Sequence, residues 1–325
     1  MHDLTIKHNA PLEGIDLYVN AVCNLACESC FLGDHYFDGS QMALEEAQRI
    51  LEWAADRQVR EVAILGGEPT MHPDLAEIVN SAQRTGFKVR LISNGGPSFR
   101  SFLRRSEAAL VETFYISLDG PTEDVHDSIR GRGSFRHVLA SFAALQQRSA
   151  RVVATVTLGR RNAEYALETV HLARSLGAER ANIHWLSASG RADNGQQTLN
   201  GQEWTAVRAS LENLPALSGF EVDIQLAHAS RGIAELAFCA IRTNTNLQFM
   251  PSGAVLACGL TVDRPTSSSY EWTTTGLNLR AGSDEQFRSQ SVPPESGCPM
   301  RQKEADIDLL PVCIYVRQVL SSATI

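Results

Sequence analysis

The chain has 325 residues, 43% of them hydrophobic and 20% charged, which fits a soluble globular protein with room for two cores and excludes disordered and fibrous classes. A net charge of −8 excludes a nonspecific nucleic-acid binder, and no apolar run reaches membrane-spanning length. The start Met1-His2-Asp3 lacks a signal peptide's charged and apolar regions, and seven cysteines without such a signal predict the reducing cytoplasm, where clustered cysteines mean metal or catalysis.

An alternating apolar run predicts a first strand over 15–20. Cys23, Cys27 and Cys30 follow just past its end, before an amphipathic helix over 42–57. A second strand, 61–65, runs into Gly66-Gly67-Glu68-Pro69. Helix and strand patterns then alternate: helix 73–84, strand 87–93, helix 97–106, strand 112–118, helix 135–148, strand 151–158, helix 163–176 and strand 180–186. Six strands with helices between them predict an α/β fold, a partial (β/α)6 barrel over residues 1–190 with its motifs at the C-terminal strand ends. A Ser-, Gly- and Asn-rich connector, 187–200, ends the alternation. A smaller α+β extension is expected over 191–325, with a helix over 203–213 and a hairpin over 247–257 that turns at Pro251-Ser252-Gly253.

Three and then two residues separate the cysteines of Cys23-Asn-Leu-Ala-Cys27-Glu-Ser-Cys30. Thiolates so spaced can grip three irons of a cubane and leave the fourth without a protein ligand, and an open metal position marks catalytic sites. On spacing alone, a zinc site with a distant fourth ligand and reduced core thiols stay open. The order of strand, cysteine loop, helix, strand and GGEP resembles the radical S-adenosylmethionine (SAM) superfamily. The resemblance continues in Leu91-Ile92-Ser93-Asn94-Gly95 and Ile116-Ser117-Leu118-Asp119-Gly120, each at a strand end, and covers residues 15–190.

That resemblance implies a [4Fe–4S] cluster on Cys23, Cys27 and Cys30, with SAM bound at the open iron. It also implies reductive cleavage to a 5′-deoxyadenosyl radical that abstracts hydrogen from a C–H bond. Gly66 and Gly67 would admit SAM close to the backbone, Glu68 would accept from its ammonium, and Pro69 would fix the chain after that carboxylate. Ser93 and Asn94 suit ribose hydroxyls, and Ser117 and Asp119 suit ribose or the carboxylate side. Arg130, in His126-Asp127-Ser128-Ile129-Arg130-Gly131, suits the SAM carboxylate. Where the family usually has an aromatic before the third cysteine this chain has Ser29, with Phe31 after it. The adenine is therefore expected to lack that neighbour or to take Phe31.

Cys239, with Gly253 and Cys258, resembles the opening of the SPASM and Twitch extensions of many radical SAM enzymes. Cys298 and Cys313 complete a set of four, which implies one auxiliary [4Fe–4S] cluster of the Twitch type. If either is not a ligand, Cys239 or Cys313 is a candidate hydrogen donor to a substrate radical. An auxiliary cluster favours an oxidative outcome, dehydrogenation or crosslinking, with a cysteine-quenched epimerisation as the alternative. The expected substrate is a peptide or a small natural-product precursor such as an aminocyclitol or sugar, and the expected reductant a flavodoxin or ferredoxin. With a first strand beginning near residue 15, no leader-recognition domain is expected before it, which counts against a peptide substrate unless recognition sits on a separate protein. Two other classes remain: a noncatalytic iron–sulfur, zinc or redox-sensing protein, and a polar SAM methyltransferase, which needs no cysteine loop. His72, His184 and Trp185 sit near the site in sequence, but packing or surface roles suffice for them.

Overall fold

The computed structural model describes residues 12–192, 195–214, 220–225, 227–229, 246–256, 270–279, 309–311 and 317–320. Strands β1 (Gly14–Tyr18), β2 (Glu61–Leu65), β3 (Lys88–Ser93), β4 (Val111–Ser117), β5 (Val152–Leu158) and β6 (Arg180–Trp185) lie side by side in chain order. Each neighbouring pair is parallel. The crossovers carry α1 (Leu44–Asp56), α2 (Leu75–Arg84), α3 (Pro97–Leu103), α4 (Glu123–Arg130), α5 (Ser134–Gln146) and α6 (Ala166–Ser175). The expected α/β class and its six parallel strands are thus present.

Period-two side chains divide the sheet into two unlike faces. Ile15 and Leu17, Val62 and Ile64, Phe114 and Ile116, Ala154 and Val156, and Ala181 and Ile183 all join the main apolar core. The opposite parity carries most of the polar strand residues, Asp16, Arg90, Tyr115, Ser117, Thr155, Arg180 and Asn182, among a few apolar ones such as Ala63, Ile92 and Val153. The sheet also curls around that polar face. One cavity of about 710 Å³ is lined by residues of β2, β3, β4 and β6, by Arg151 just before β5 and by Glu221 of β7 (Glu221–Gln225), strands that would span about 24 Å if laid flat.

Strands beyond residue 190 extend the same sheet at both edges. β7 pairs parallel to β6. At the other edge β9 (Asn246–Phe249) pairs parallel to β1 and turns back into β10 (Ala254–Leu256). Gly253 takes φ +80° at this turn, a backbone setting that favours glycine. β11 (Tyr270–Thr273) and β12 (Gly276–Leu279) follow antiparallel. β8 (Ala227–Ala229) pairs with β13 (Leu309–Pro311), and β14 (Arg317–Leu320) with β7. Trp53 of α1 packs edge-on to Phe249 and Trp272, with ring centroids 5.7 and 5.8 Å away, so this helix packs on the added strands β9 and β11.

Two helices show how local chemistry sets the ends. α7 (Gly201–Glu212) begins with a reciprocal capping box between Asn200 and Glu203, which satisfies two otherwise orphaned N–H groups. α4 was not expected as a helix, because most of its eight residues are polar. Thr122 caps it by accepting from Val125 N, Glu123 and Asp124 lie in the first turn, and only His126 and Ile129 are buried. A cap, acids near the positive end of the dipole and two buried residues suffice for two turns.

Candidate active site

The candidate cluster and SAM residues of the first 190 lie at the C-terminal ends of β1 to β4 or in the loops that follow, except Arg130, which ends α4; His184 and Trp185 lie on β6. Cys23, Cys27 and Cys30 are half-buried, free of disulfides and spread along the loop after β1. Among the described residues, no three metal-ligating side chains are gathered at metal-binding geometry. Burial pushes the Cys23 thiol up to about 11, with Glu68 and the other two cysteines adding to the rise. Burial raises Cys30 as well. The loop rests on its own small apolar cluster. Tyr18, Leu32 and Tyr36 pack there with Met250 and Leu256 of the β9–β10 hairpin, and Cys30 and Phe31 lie against them.

Gly66 and Gly67 are required first by the protein itself. Gly67 N donates to Asn20 O at 2.9 Å, and Glu68 N donates to Val22 O at 2.8 Å, which continues the β1–β2 ladder up to the cysteine loop. A Cβ on Gly66 would stand 2.7 Å from Asn20 O, and one on Gly67 would overlap the Val22 carbonyl. The Glu68 carboxylate is fully buried. It accepts from Ser93 Oγ and Asn94 N at 2.8 Å each, from Thr70 N at 3.2 Å and from Thr70 Oγ1. Burial raises its pKa, and these donors pull against that rise. Glu68 therefore ties the end of β2 to the end of β3. Pro69 opens a single 3-10 turn, Pro69–Met71, directly after it.

Asn94 reaches the other way, with Nδ2 donating to Asn24 Oδ1 at 2.9 Å and lying 3.9 Å from Cys23 Sγ. Asp119 is fully buried at the next strand end. Its Oδ1 accepts from Thr157 N at 2.8 Å, its N–H donates to His126 Nδ1 at 3.1 Å, and its Oδ2 pairs with Arg130 Nε. Burial alone would lower the Arg130 pKa, but the attraction of Asp119, with Cys27 and Cys30, outweighs it and holds the guanidinium above its usual range. Arg130 O accepts from Cys27 Sγ at 3.9 Å, and the guanidinium makes no other hydrogen bond among the described residues. Ser117 is buried at the end of β4. His72 is held away from this network by hydrogen bonds to Met42 O and from Asp74 N.

Several residues that sequence reasoning passed over belong to this end of the sheet. Asn24 and Thr70 complete the bonds of Asn94 and Glu68, and Asn162 donates to Asp119 O at 2.8 Å. On the polar face, Thr155 and Asn182 are register partners on β5 and β6, level with Ser117 on β4. Thr155 Oγ1 and Asn182 Oδ1 are buried there without a hydrogen-bond partner. Asp16 stands deeper on that face, where Oδ2 accepts from Asn246 Nδ2 and Gln248 Nε2 at 3.1 Å each. Burial pushes its pKa up to about 6 against those two donors. Strand alternation was the available signal, since Asp16 and Asn182 each interrupt apolar neighbours. Cys239, Cys258, Cys298 and Cys313 lie outside the described residues.

Asp16 gives a pH-dependent prediction. Its folded-state value of about 6 lies above the ordinary 3.8. The matching stability is therefore complete below pH 3.8 and is lost as pH rises through 6. Asp16→Asn is expected to stabilise the protein at pH 8 by about 1–3 kcal/mol, with the gain vanishing near pH 4. Urea melts at both pH values check this. A destabilised variant at pH 8 would contradict it.

The cysteine loop, the glycine pair and a strand-end carboxylate meet at one end of a parallel sheet, and residues 17–173 match the family model described as the Radical SAM superfamily. The chain carries a radical SAM domain. It is 28% identical over 181 residues to an AdoMet-dependent heme synthase of Methanosarcina barkeri, covering 55% of this chain and 52% of that one. It is 28% identical over 260 residues to a PqqA peptide cyclase of Ruegeria pomeroyi, covering 79% of this chain and 62% of the relative. The chain spans about half the length of the curated heme synthases it matches. In fold it resembles Streptococcus suis SuiB, crystallised with the precursor peptide SuiA, with TM-score 0.63, 17% identity and coverage of 78% of this chain and 61% of SuiB. Among the described residues, no helix is long and apolar enough to cross a membrane.

The residues present fit the cofactors that this family implies. Three free thiols share one loop, the strand ends beside it are closed by hydrogen bonds, and the Arg130 guanidinium keeps donors for a carboxylate.

Proposed function

We propose that this protein is a radical SAM enzyme that oxidatively modifies a peptide. The observation that carries the reading is the joining of Cys23, Cys27, Asn94 and Arg130 at one sheet end. When bound, a [4Fe–4S] cluster and SAM would supply one-electron cleavage of SAM and abstraction of a substrate hydrogen. The cysteines would hold the cluster, and Glu68 with Ser93 would fix the backbone of the GGEP turn against it. Arg130, oriented by Asp119, would hold the SAM carboxylate. Ser117 and Asn94 would remain for the ribose. Thr155 and Asn182 would face substrate from the polar wall, where their unpartnered oxygens would accept from a peptide's N–H groups.

The peptide cyclase supports a peptide substrate, because that likeness runs through most of this chain. A second reading, a small-molecule substrate, is favoured by the heme synthase likeness. The division at residue 190, an auxiliary cluster on Cys239, Cys258, Cys298 and Cys313, Cys239 or Cys313 as hydrogen donor, and a flavodoxin or ferredoxin reductant belong to the proposal. The deciding experiment is anaerobic turnover of SAM by the reconstituted, reduced enzyme with a library of synthetic peptides. A peptide that raises 5′-deoxyadenosine formation and emerges lacking two hydrogens is the expected result. An unchanged peptide mass beside porphyrin or sugar turnover would reject the peptide reading.

A further inference from the structure

The segment after β6 was expected to be a plain connector, yet it grips the cysteine loop at several points. Ser189 Oγ donates to Phe31 O at 3.3 Å, and Arg191 N donates to Cys30 O at 2.9 Å. The Arg191 side chain spans the loop: Nη1 donates to Cys27 O at 3.5 Å and Nε to Asp34 Oδ1 at 2.6 Å, while the guanidinium lies 4.8 Å from the centre of the Phe37 ring. Farther along, Gln197 Nε2 donates to Glu28 Oε2 at 2.9 Å. Gly190 sits inside this grip at φ +61°, where a Cβ would overlap Cys30 O and the Phe31 carbonyl. Only glycine suits both that backbone setting and that approach.

We propose that Ser189-Gly190-Arg191 is a clasp that shapes the cysteine loop for its cluster, with Arg191 as a positioning residue whose cation also sets the cluster's reduction potential. The proposal rests on the reading of Cys23, Cys27 and Cys30 as cluster ligands. Apart from a 3-10 turn at Asp34–Tyr36, this loop has no regular structure, so it has many carbonyls to satisfy and much chain entropy to lose. The clasp occupies the carbonyls of Cys27, Cys30 and Phe31 from outside the loop. Outer partners of this kind orient metal ligands. A fixed cation beside a cluster that gains negative charge on reduction favours the reduced state.

The test compares wild type with Arg191→Gln, Arg191→Lys, Gly190→Ala and Asp34→Ala, the last at a side chain that is 83% exposed and so outside the core. Two readouts are taken: amide hydrogen exchange of residues 27–37 in the metal-free chains, and the midpoint potential of the reconstituted cluster by EPR titration. Exchange is expected to speed up about tenfold in Gly190→Ala and Arg191→Gln and less in Asp34→Ala, as each loosens the loop by a hydrogen bond or more. The potential should fall in Arg191→Gln and return toward wild type in Arg191→Lys, which keeps the charge. Wild-type exchange in both Gly190→Ala and Asp34→Ala, or a wild-type potential in Arg191→Gln, would overturn the clasp. Wild type that takes up no iron would instead overturn the cluster reading beneath it.

Discussion

Gly67→Ala is expected to lower SAM cleavage at least about 100-fold, the scale of loss that a displacement near 1 Å imposes on positioned groups. The added Cβ meets the Val22 carbonyl, one residue before Cys23. Backbone, not a flexible side chain, must move. The movement breaks the bond from Glu68 N to Val22 O and shifts the first thiol relative to the GGEP turn. Overpacking of this kind costs about 1–3 kcal/mol, so the variant should still fold. Its circular dichroism should match wild type while 5′-deoxyadenosine formation is lost. Wild-type turnover would mean that the glycine pair does not set the loop.

Asp119→Ala should be the most destabilising substitution at the site, by about 3–5 kcal/mol, because it strands a buried guanidinium. Asp119 also receives Thr157 N, so the end of β4 loses one of its ties to β5, with the Leu118 N to Thr155 O bond remaining. Adding Arg130→Met to Asp119→Ala removes the stranded charge and is expected to recover part of the loss. Urea unfolding of the two single variants and the double variant measures that coupling. Additive effects would show that the pair contributes no interaction of its own.

The sequence exposed those parts of the structure that repeat with a short period or rest on residues of fixed chemistry. Strand β2 was legible to the residue because Val62 and Ile64 alternate with less buried neighbours and two glycines stop the run. The cysteines, Glu68, Ser93 and Asn94 were legible as candidates, and as neighbours of strand ends, because thiols, carboxylate and amide follow those ends in a known order. Their bonds to one another were not, since Glu68 meets Ser93 only when β2 and β3 pair. Arg191 was hidden for the same reason. It lies 157 residues from Asp34 in a stretch whose composition signals only a turn. α4 was missed because its stability comes from a cap and two contacts rather than from an apolar stripe. The pairing of β9 with β1 joins residues more than 200 positions apart, and no local pattern records such a contact.

Every functional role proposed above depends on Cys23, Cys27 and Cys30 holding the cluster that cleaves SAM. Iron content and anaerobic 5′-deoxyadenosine formation, compared between wild type and a Cys23→Ala, Cys27→Ala, Cys30→Ala triple variant, test it most directly. About eight irons per chain are expected in wild type, falling to about four in the variant with no 5′-deoxyadenosine. About four in wild type and none in the variant would remove the auxiliary cluster and keep the radical enzyme. A variant that kept its iron and its SAM cleavage would contradict the claim.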